Sequence, residues 1–151
     1  VIFVLDGVED PYNFGQAVRS MYAAGIDGLI VPTRNWLSAA ATVIRASAGA
    51  TEHMPTATAA TADAVAMAQS RRIPIGVATT DKARPMGEFD LTGPLLLLIG
   101  GEKRGVARAV EEMADWRVSI PYGRETGYAL GTAAAAAVLS FEVLRQRQAK
   151  G

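Results

Sequence analysis

A run of apolar residues leads directly into a glycine-rich turn that carries one carboxylate and two cations. Residues 95–99 read LLLLI and residues 100–105 read GGEKRG. The glycines allow backbone amide groups to approach a nucleotide-like ligand closely. Because open α/β sheets bind ligands at the carboxyl ends of their strands, this turn is placed for a binding site. It matches neither the P-loop nor the dinucleotide fingerprint, and the alternative is a tight turn in which Glu102 is only a cap.

Two more segments combine polar side chains with the start of a predicted helix. Residues 10–19, DPYNFGQAVR, place Asn13 where it can cap a helix and Arg19 between one and two turns further along. A guanidinium near a helix start opposes the macrodipole, which suits Arg19 to holding a phosphate; the alternative is a capping Asn and a surface Arg. Residues 120–130, IPYGRETGYAL, form a polar loop that either wraps a ligand with backbone groups or simply joins a strand to a helix.

In this order and at these separations, the three segments resemble motifs one, two and three of the SpoU branch (TrmH-like) of the SPOUT RNA methyltransferases. The resemblance covers essentially the whole chain. It implies an S-adenosylmethionine-dependent enzyme that methylates a ribose 2′-hydroxyl of tRNA or rRNA. It also implies a SPOUT-type α/β fold with a C-terminal trefoil knot, and a homodimer with the active site close to or shared across the interface.

The resemblance carries roles onto particular positions. Asn13 would support the active site, Arg19 would engage the target phosphate and the ribose hydroxyl, and Glu102 would shape the catalytic pocket. A guanidinium ordinarily stays protonated, so Arg19 is expected to position the substrate electrostatically before it acts as a base. The knot pocket needs no metal. The residues expected to contact S-adenosylmethionine are Thr79, Gly100, Gly101, Ile120, Tyr122, Leu130 and Thr132.

Motif three departs from the family pattern. Where Ser-Leu-Asn-x-Ser is usual, residues 129–133 read ALGTA, so that Gly131 stands at the Asn position and Ala129 and Ala133 stand at the two Ser positions. Side-chain hydrogen bonds near the substrate or the donor are lost, and binding should survive better than turnover. A second hypothesis therefore stays open, a noncatalytic SPOUT-fold RNA-binding protein, with or without retained binding of S-adenosylmethionine. A third, a different nucleotide enzyme on a doubly wound sheet, lacks either phosphate fingerprint.

Composition is consistent with one domain spanning residues 1–151, half of whose residues are hydrophobic. The chain begins at Val1 inside an apolar strand, so we expect an N-terminal RNA-binding extension upstream. Fifteen basic and fifteen acidic residues cancel, and RNA contacts must therefore be local. No cysteine is present and no apolar run is long enough to span a membrane, which favours a cytoplasmic protein.

Apolar runs of strand length alternate with longer amphipathic or Ala-rich stretches, which predicts an α/β fold with a mostly parallel sheet. We expect strands at residues 1–5, 28–31, 75–78, 95–99 and 117–120, and a short one near 53–55. Helices are predicted at residues 13–24, 38–48, 63–70, 106–113 and 131–148, the first capped by Asn13 and the second by Ser38. Trp36 and Trp116 are expected in the core or an interface, and His53 in a surface or structural role.

Overall fold

The computed structural model describes residues 1–33 and 37–151, and these contain a seven-stranded sheet in which every paired strand runs parallel to its neighbour. The strands are β1 (Ile2–Asp6), β2 (Gly28–Val31), β3 (Thr56–Thr58), β4 (Ile75–Ala78), β5 (Arg84–Pro85), β6 (Leu96–Gly100) and β7 (Trp116–Ser119). Their order across the sheet is β3-β2-β1-β6-β4-β7-β5. Ile2 of β1 therefore pairs with Gly28 on one side and with Leu96 on the other.

Helices cover both faces of this sheet. They are α1 (Pro11–Ala23), α2 (Ala40–Ser47), α3 (Thr61–Ser70), α4 (Arg108–Glu111) and α5 (Thr132–Lys150). α1 packs against α2 and α5 on one face, and α3 packs near α4 on the other. The predicted α/β class with a parallel sheet flanked by helices is confirmed.

Successive side chains of a central strand point to opposite faces of the sheet, and both sets are apolar, so the sheet is buried on both sides. In β6, Leu97 and Ile99 join the core beneath α1 and α5, while Leu96 and Leu98 join the core beneath α3 and α4. All four are at most 2% exposed. Burying one such side chain contributes about 1.5–3 kcal/mol, so the continuous apolar run is what fixes β6 at the centre.

Several predicted boundaries were wrong. α1 begins at Pro11 and is capped by Asp10, whose Oδ1 accepts from the Tyr12 amide at 2.8 Å, so Asn13 lies inside the first turn. Proline at the first helical position needs no amide partner, which makes this start more favourable than one at residue 13. Ser38 does not cap α2 either, because it lies in a 3-10 turn, Leu37–Ala39, that precedes the helix.

Other differences concern short elements. β3 starts just after the predicted residues 53–55, β5 was not predicted at all, and α4 is shorter than residues 106–113. His53 is exposed and stacks on Tyr22, with ring centroids 6.0 Å apart, and Trp116 packs against the core and stacks on Phe89 at 5.3 Å. Trp36 lies outside the described residues. Within residues 1–33 and 37–151, no helix combines the length and apolar character needed to span a bilayer.

Candidate functional site

The carboxyl ends of β4, β6 and β7 open into one cavity of about 540 Å³. Its walls come from the loops that follow these three strands and from residues 129–135 at the start of α5. This is where a parallel sheet is expected to hold a ligand. Every residue predicted to contact the cofactor lines this cavity, namely Thr79, Gly100, Gly101, Ile120, Tyr122, Leu130 and Thr132. Their role in binding stays a prediction.

Close backbone approaches shape the floor of this main cavity. A Cβ atom on Gly100 would stand 2.3 Å from the carbonyl carbon of Gly105, and one on Gly101 would stand 2.1 Å from the carbonyl oxygen of Gly7. The turn closes through the Gly105 amide, which donates to the Gly101 carbonyl at 2.9 Å, and Gly105 adopts a positive φ of 62°. Only glycine fits at positions 100 and 101, because any side chain would collide with backbone.

Two hydrogen bonds tie the start of α5 to the other cavity loops. The Thr132 hydroxyl donates to the Gly100 carbonyl at 2.9 Å, and Thr132 is only 5% exposed. The Leu130 amide donates to the phenol oxygen of Tyr122 at 2.8 Å. The loop after β7 and the turn after β6 are thus both anchored to the segment at residues 130–132.

A second, smaller cavity of about 320 Å³ lies between the loop after β1 and the turn after β6. Asn13 and Glu102 both line it, and the ion pair between Lys103 and Glu9, 2.8 Å between Nζ and Oε2, lies at the same place. Glu102 and Thr132 line the main cavity as well, so the two spaces adjoin. The structure therefore brings Asn13 and Glu102 together beside the predicted cofactor pocket.

The carboxylate of Glu102 lies against the backbone of Gly131. A Cβ atom on Gly131 would stand 2.4 Å from Oε1 of Glu102, well inside van der Waals contact. Gly131 is the position where the family pattern expects Asn, so the space of the missing side chain is taken by the Glu102 carboxylate. The sequence carried no signal for this contact, because residues 102 and 131 are neighbours only in the folded chain.

Arg19 lies apart from the other predicted catalytic residues. It is exposed, and it lines neither the main cavity nor the Asn13–Glu102 cavity. Instead it lines a surface cleft between α1 and α2. Six residues along α1 separate it from Asn13, and that separation turns the two side chains toward different spaces.

One charged residue of the main cavity was not predicted. Glu111 of α4 lines the cavity and lies 3.6 Å from Arg117, which also pairs with Asp81 at 3.6 Å. Its sequence context, an acidic pair at the end of a short helix, is typical of solvated surface and gave no signal. Among the described residues, no group of three or more His, Asp or Glu side chains is arranged to hold a metal ion.

Comparison with known proteins agrees with this geometry. The sequence profile of the SpoU rRNA Methylase family matches residues 1–141. The chain belongs to this family. A Bacillus subtilis protein, provisionally named a TrmH family tRNA/rRNA methyltransferase, is 35% identical over 151 residues, which cover 98% of this chain and 59% of that protein. The chain thus spans about three fifths of the length of such curated relatives.

Solved SpoU-type structures share the fold. An RNA 2′-O ribose methyltransferase superposes with a TM-score of 0.87 at 30% identity, covering 98% of this chain and 57% of that one. The SpoU methyltransferase AviRb from Streptomyces viridochromogenes, in complex with the cofactor AdoMet, gives a TM-score of 0.84 at 30% identity over 99% of this chain and 61% of that one. The SpoU membership predicted from the three motifs is confirmed, and the fold is that of SPOUT methyltransferases. The trefoil knot stays a prediction.

Proposed function

We propose that this chain is the methyl-transferring domain of an RNA methyltransferase that uses S-adenosylmethionine and acts on a ribose 2′-hydroxyl of tRNA or rRNA. The main cavity carries this proposal, because all seven residues that the SpoU resemblance assigns to the cofactor line it at the carboxyl edge of the sheet. Membership of the SpoU family and the AdoMet complex of AviRb support it. RNA of this kind is found in the cytoplasm, which is where we expect the protein to act.

The cavity fits a bent adenosine with an amino acid tail. Its volume of about 540 Å³ lies in the range typical of cofactor pockets. Val118, Ile120 and Leu130 supply apolar wall for an adenine ring, and Gly100 and Gly101 leave backbone exposed where side chains would fill the space. Bound there, S-adenosylmethionine would supply the methyl group: the ribose oxygen would gain it as the bond from the methyl carbon to sulfur breaks, with S-adenosylhomocysteine left behind and the hydroxyl proton released.

Residues of the adjoining cavity are suited to holding the ribose. Asn13 offers an amide with both donors and an acceptor, and Glu102 offers a carboxylate that faces the main cavity and this smaller one. Aligning a hydroxyl next to a donor group can itself lower the barrier by up to about 7–11 kcal/mol, and the attack needs no metal and little covalent chemistry from the protein. In this proposal Asn13 and Glu102 orient the ribose.

Arg19 requires a different arrangement, because it lies outside both cavities of its own chain. We propose a homodimer in which a second copy of the chain brings Arg19 to the Glu102 cavity. Exposed aromatic residues on two helices that pack together, α1 and α5, support such an interface: Tyr22 is 46% exposed and Phe141 48%. Light scattering on the purified chain tests the dimer. Mixed dimers of Arg19→Ala and Glu102→Ala subunits test the shared site, since one intact site per dimer would restore part of the activity.

The departures in motif three favour a second candidate function. With Gly131 and Ala133 in place of the expected polar residues, the chain lacks side chains that would contact substrate or donor. In this alternative the chain is a noncatalytic RNA-binding protein that still holds S-adenosylmethionine. The intact set of Asn13, Arg19 and Glu102 favours the enzyme over this alternative.

Calorimetry with S-adenosylmethionine is the first experiment. We expect the wild-type chain to bind it and Gly100→Ala to bind far more weakly, because the new Cβ would displace the Gly105 backbone. Gly87→Ala is the matched control, since a Cβ at Gly87 meets nothing within 4 Å. Equal binding by both variants would contradict the assignment of the cavity.

Methyl transfer from labelled S-adenosylmethionine to unfractionated tRNA and to rRNA is the second experiment. Nucleoside analysis of the product is expected to find the label on ribose oxygen. Label on a base would contradict the ribose assignment while leaving the methyltransferase proposal intact. Cofactor and RNA binding without transfer would support the noncatalytic alternative.

A further inference from the structure

The cleft that contains Arg19 is a distinct space on the surface. Its volume is about 450 Å³, and it is lined by Tyr12, Gln16, Arg19, Thr42, Arg45 and Ala46. None of these residues lines the main cavity or the Asn13–Glu102 cavity. Within one chain the cleft is therefore separate from the proposed cofactor and ribose sites, and in the proposed dimer its residue Arg19 would adjoin the Asn13–Glu102 cavity of the second copy.

Close packing of α1 on α2 forms the floor of the cleft. A Cβ atom on Gly15 would stand 2.6 Å from Cβ of Ala46 and 2.8 Å from the Val43 carbonyl oxygen, so the helices touch along a glycine. The Gln16 amide group bridges them by donating to the Ala46 carbonyl at 3.2 Å. Side chains on either side of this contact line are consequently held at a fixed separation.

The charges of the two helices converge on this cleft. Arg19 is the only charged residue of α1, and Arg45 is the only charged residue of α2. Both are exposed and both line the cleft. No Asp or Glu occurs in residues 11–26 or 37–51, although the whole chain has fifteen. The cleft is thus a local concentration of positive charge on a molecule with no net charge.

Neither guanidinium is neutralised within the described part of the chain. No carboxylate there lies within ion-pairing distance of Arg19 or Arg45, whereas five of the other arginines are paired: Arg84, Arg108, Arg117, Arg145 and Arg147. The Nε of Arg45 makes one long bond, 3.4 Å, to the Ala41 carbonyl. Two like charges in one cleft repel each other, and an anion bound between them would remove that cost.

Resting on the proposed function, we propose that the α1–α2 cleft binds the phosphodiester backbone of the RNA substrate, and that Arg45 is a phosphate-contacting residue of this protein. The planar guanidinium matches phosphate oxygens with paired donors. Tyr12, at 54% exposed, presents a ring at the same cleft on which an unpaired base can stack. Contacts here would set the path of the RNA beyond the nucleotide that is methylated.

Salt dependence of RNA binding tests this site. Fluorescently labelled unfractionated tRNA and fragmented rRNA are titrated with the full chain between about 50 and 200 mM KCl. Arg45→Ala is expected to reduce the slope of log K against log salt by about 0.7–0.9, the loss of one phosphate contact, while Arg45→Lys keeps the slope. Arg71→Ala is the matched control, because Arg71 is an exposed arginine at the end of α3 on the opposite face of the sheet.

Equal slopes for Arg45→Ala and Arg71→Ala would overturn the proposal, as would failure of the wild-type chain to bind either RNA. Thermal unfolding of each variant shows whether it is folded, and an unchanged midpoint is expected for the exposed Arg45. The methyl-transfer assay separates the two proposals. If Arg45→Ala reduces the salt slope but the wild-type chain transfers no methyl group, the cleft proposal is supported and the enzyme proposal is contradicted. If the wild-type chain transfers methyl groups but Arg45→Ala leaves the slope unchanged, the enzyme proposal is supported and the cleft proposal is contradicted.

Discussion

Replacing Gly131 with alanine should disturb the geometry of the candidate site without destabilising the fold. The new Cβ would stand 2.4 Å from Oε1 of Glu102, and ordinary contact begins at 3.4 Å, so the carboxylate must withdraw by about 1 Å. Because a displacement of this size at a reacting centre can cost about 100-fold in rate, we expect methyl transfer to slow by about that factor, or about 2.7 kcal/mol in activation free energy.

The free energy of unfolding, in contrast to the rate, should not fall in Gly131→Ala. The backbone angles of Gly131, φ −61° and ψ 157°, are open to alanine, and the atom that must yield is the far end of a flexible side chain. Gly→Ala changes at such positions typically stabilise a fold by about 0.4–1 kcal/mol through the unfolded state. Urea unfolding of Gly131→Ala is therefore expected to give a free energy equal to or slightly above that of the wild type.

Single-turnover methyl transfer at saturating S-adenosylmethionine measures the rate, and calorimetry checks that the cofactor still binds. A double-mutant cycle tests the reason: if Gly131→Ala acts through Glu102, it should cost almost nothing in a Glu102→Ala background. The reasoning is refuted if Gly131→Ala transfers methyl groups at the wild-type rate. An equal loss in both backgrounds would also refute it, because the effect would then bypass Glu102.

Three further changes have expected outcomes. Thr132→Val removes the hydrogen bond to the Gly100 carbonyl and should cost about 1 kcal/mol in unfolding free energy and about fivefold in cofactor affinity, both measurable on the purified chain. Hydrogen bonding from Arg145 outweighs desolvation and lowers the pKa of Glu142 below its ordinary value of 4.5. The ionised carboxylate therefore stabilises the fold fully above pH 4.5, and this stabilisation is lost as the pH falls through the lowered pKa. Glu142→Gln should flatten the acid side of the pH–stability curve, and an unchanged curve would contradict this. Gly15→Ala would push α1 from α2 and should destabilise by about 1–3 kcal/mol in urea; an unchanged midpoint would show that the helices separate without cost.

Much of the fold could be predicted from local sequence. β2 and β4 were predicted at their observed residues and β6 to within one residue, because buried parallel strands read as continuous apolar runs. The start of α1 was missed because Asn13 is a good cap, and the better cap at Asp10 is recognisable only when Pro11 is taken as the first helical residue. β5 has two exposed residues and no hydrophobic signal, so only its pairing with β7 defines it.

The part of the candidate site that could be predicted consists of the residues at the ends of strands. Gly100, Ile120 and Thr79 each follow or end a strand of one parallel sheet, and their convergence in one cavity follows from that topology. The position of Arg19 could not be predicted, because helical spacing fixes its angle to Asn13 but not what lies opposite either face. The contact of Gly131 with Glu102 depends on how α5 enters the site, which no local pattern encodes.

The place of β1 in the sheet has a consequence for the order of folding. β1 can pair with β2 early during synthesis, but its other neighbour, β6, begins only at Leu96. Until then the β1–β2–β3 ribbon exposes an unpaired apolar edge, which is a hazard for association with other chains. Because the glycine turn at residues 100–105 directly follows β6, the insertion of this strand both covers that edge and forms the floor of the main cavity. Closure of the sheet and assembly of the site are therefore expected to be one late event, and an isolated fragment ending before residue 96 should aggregate.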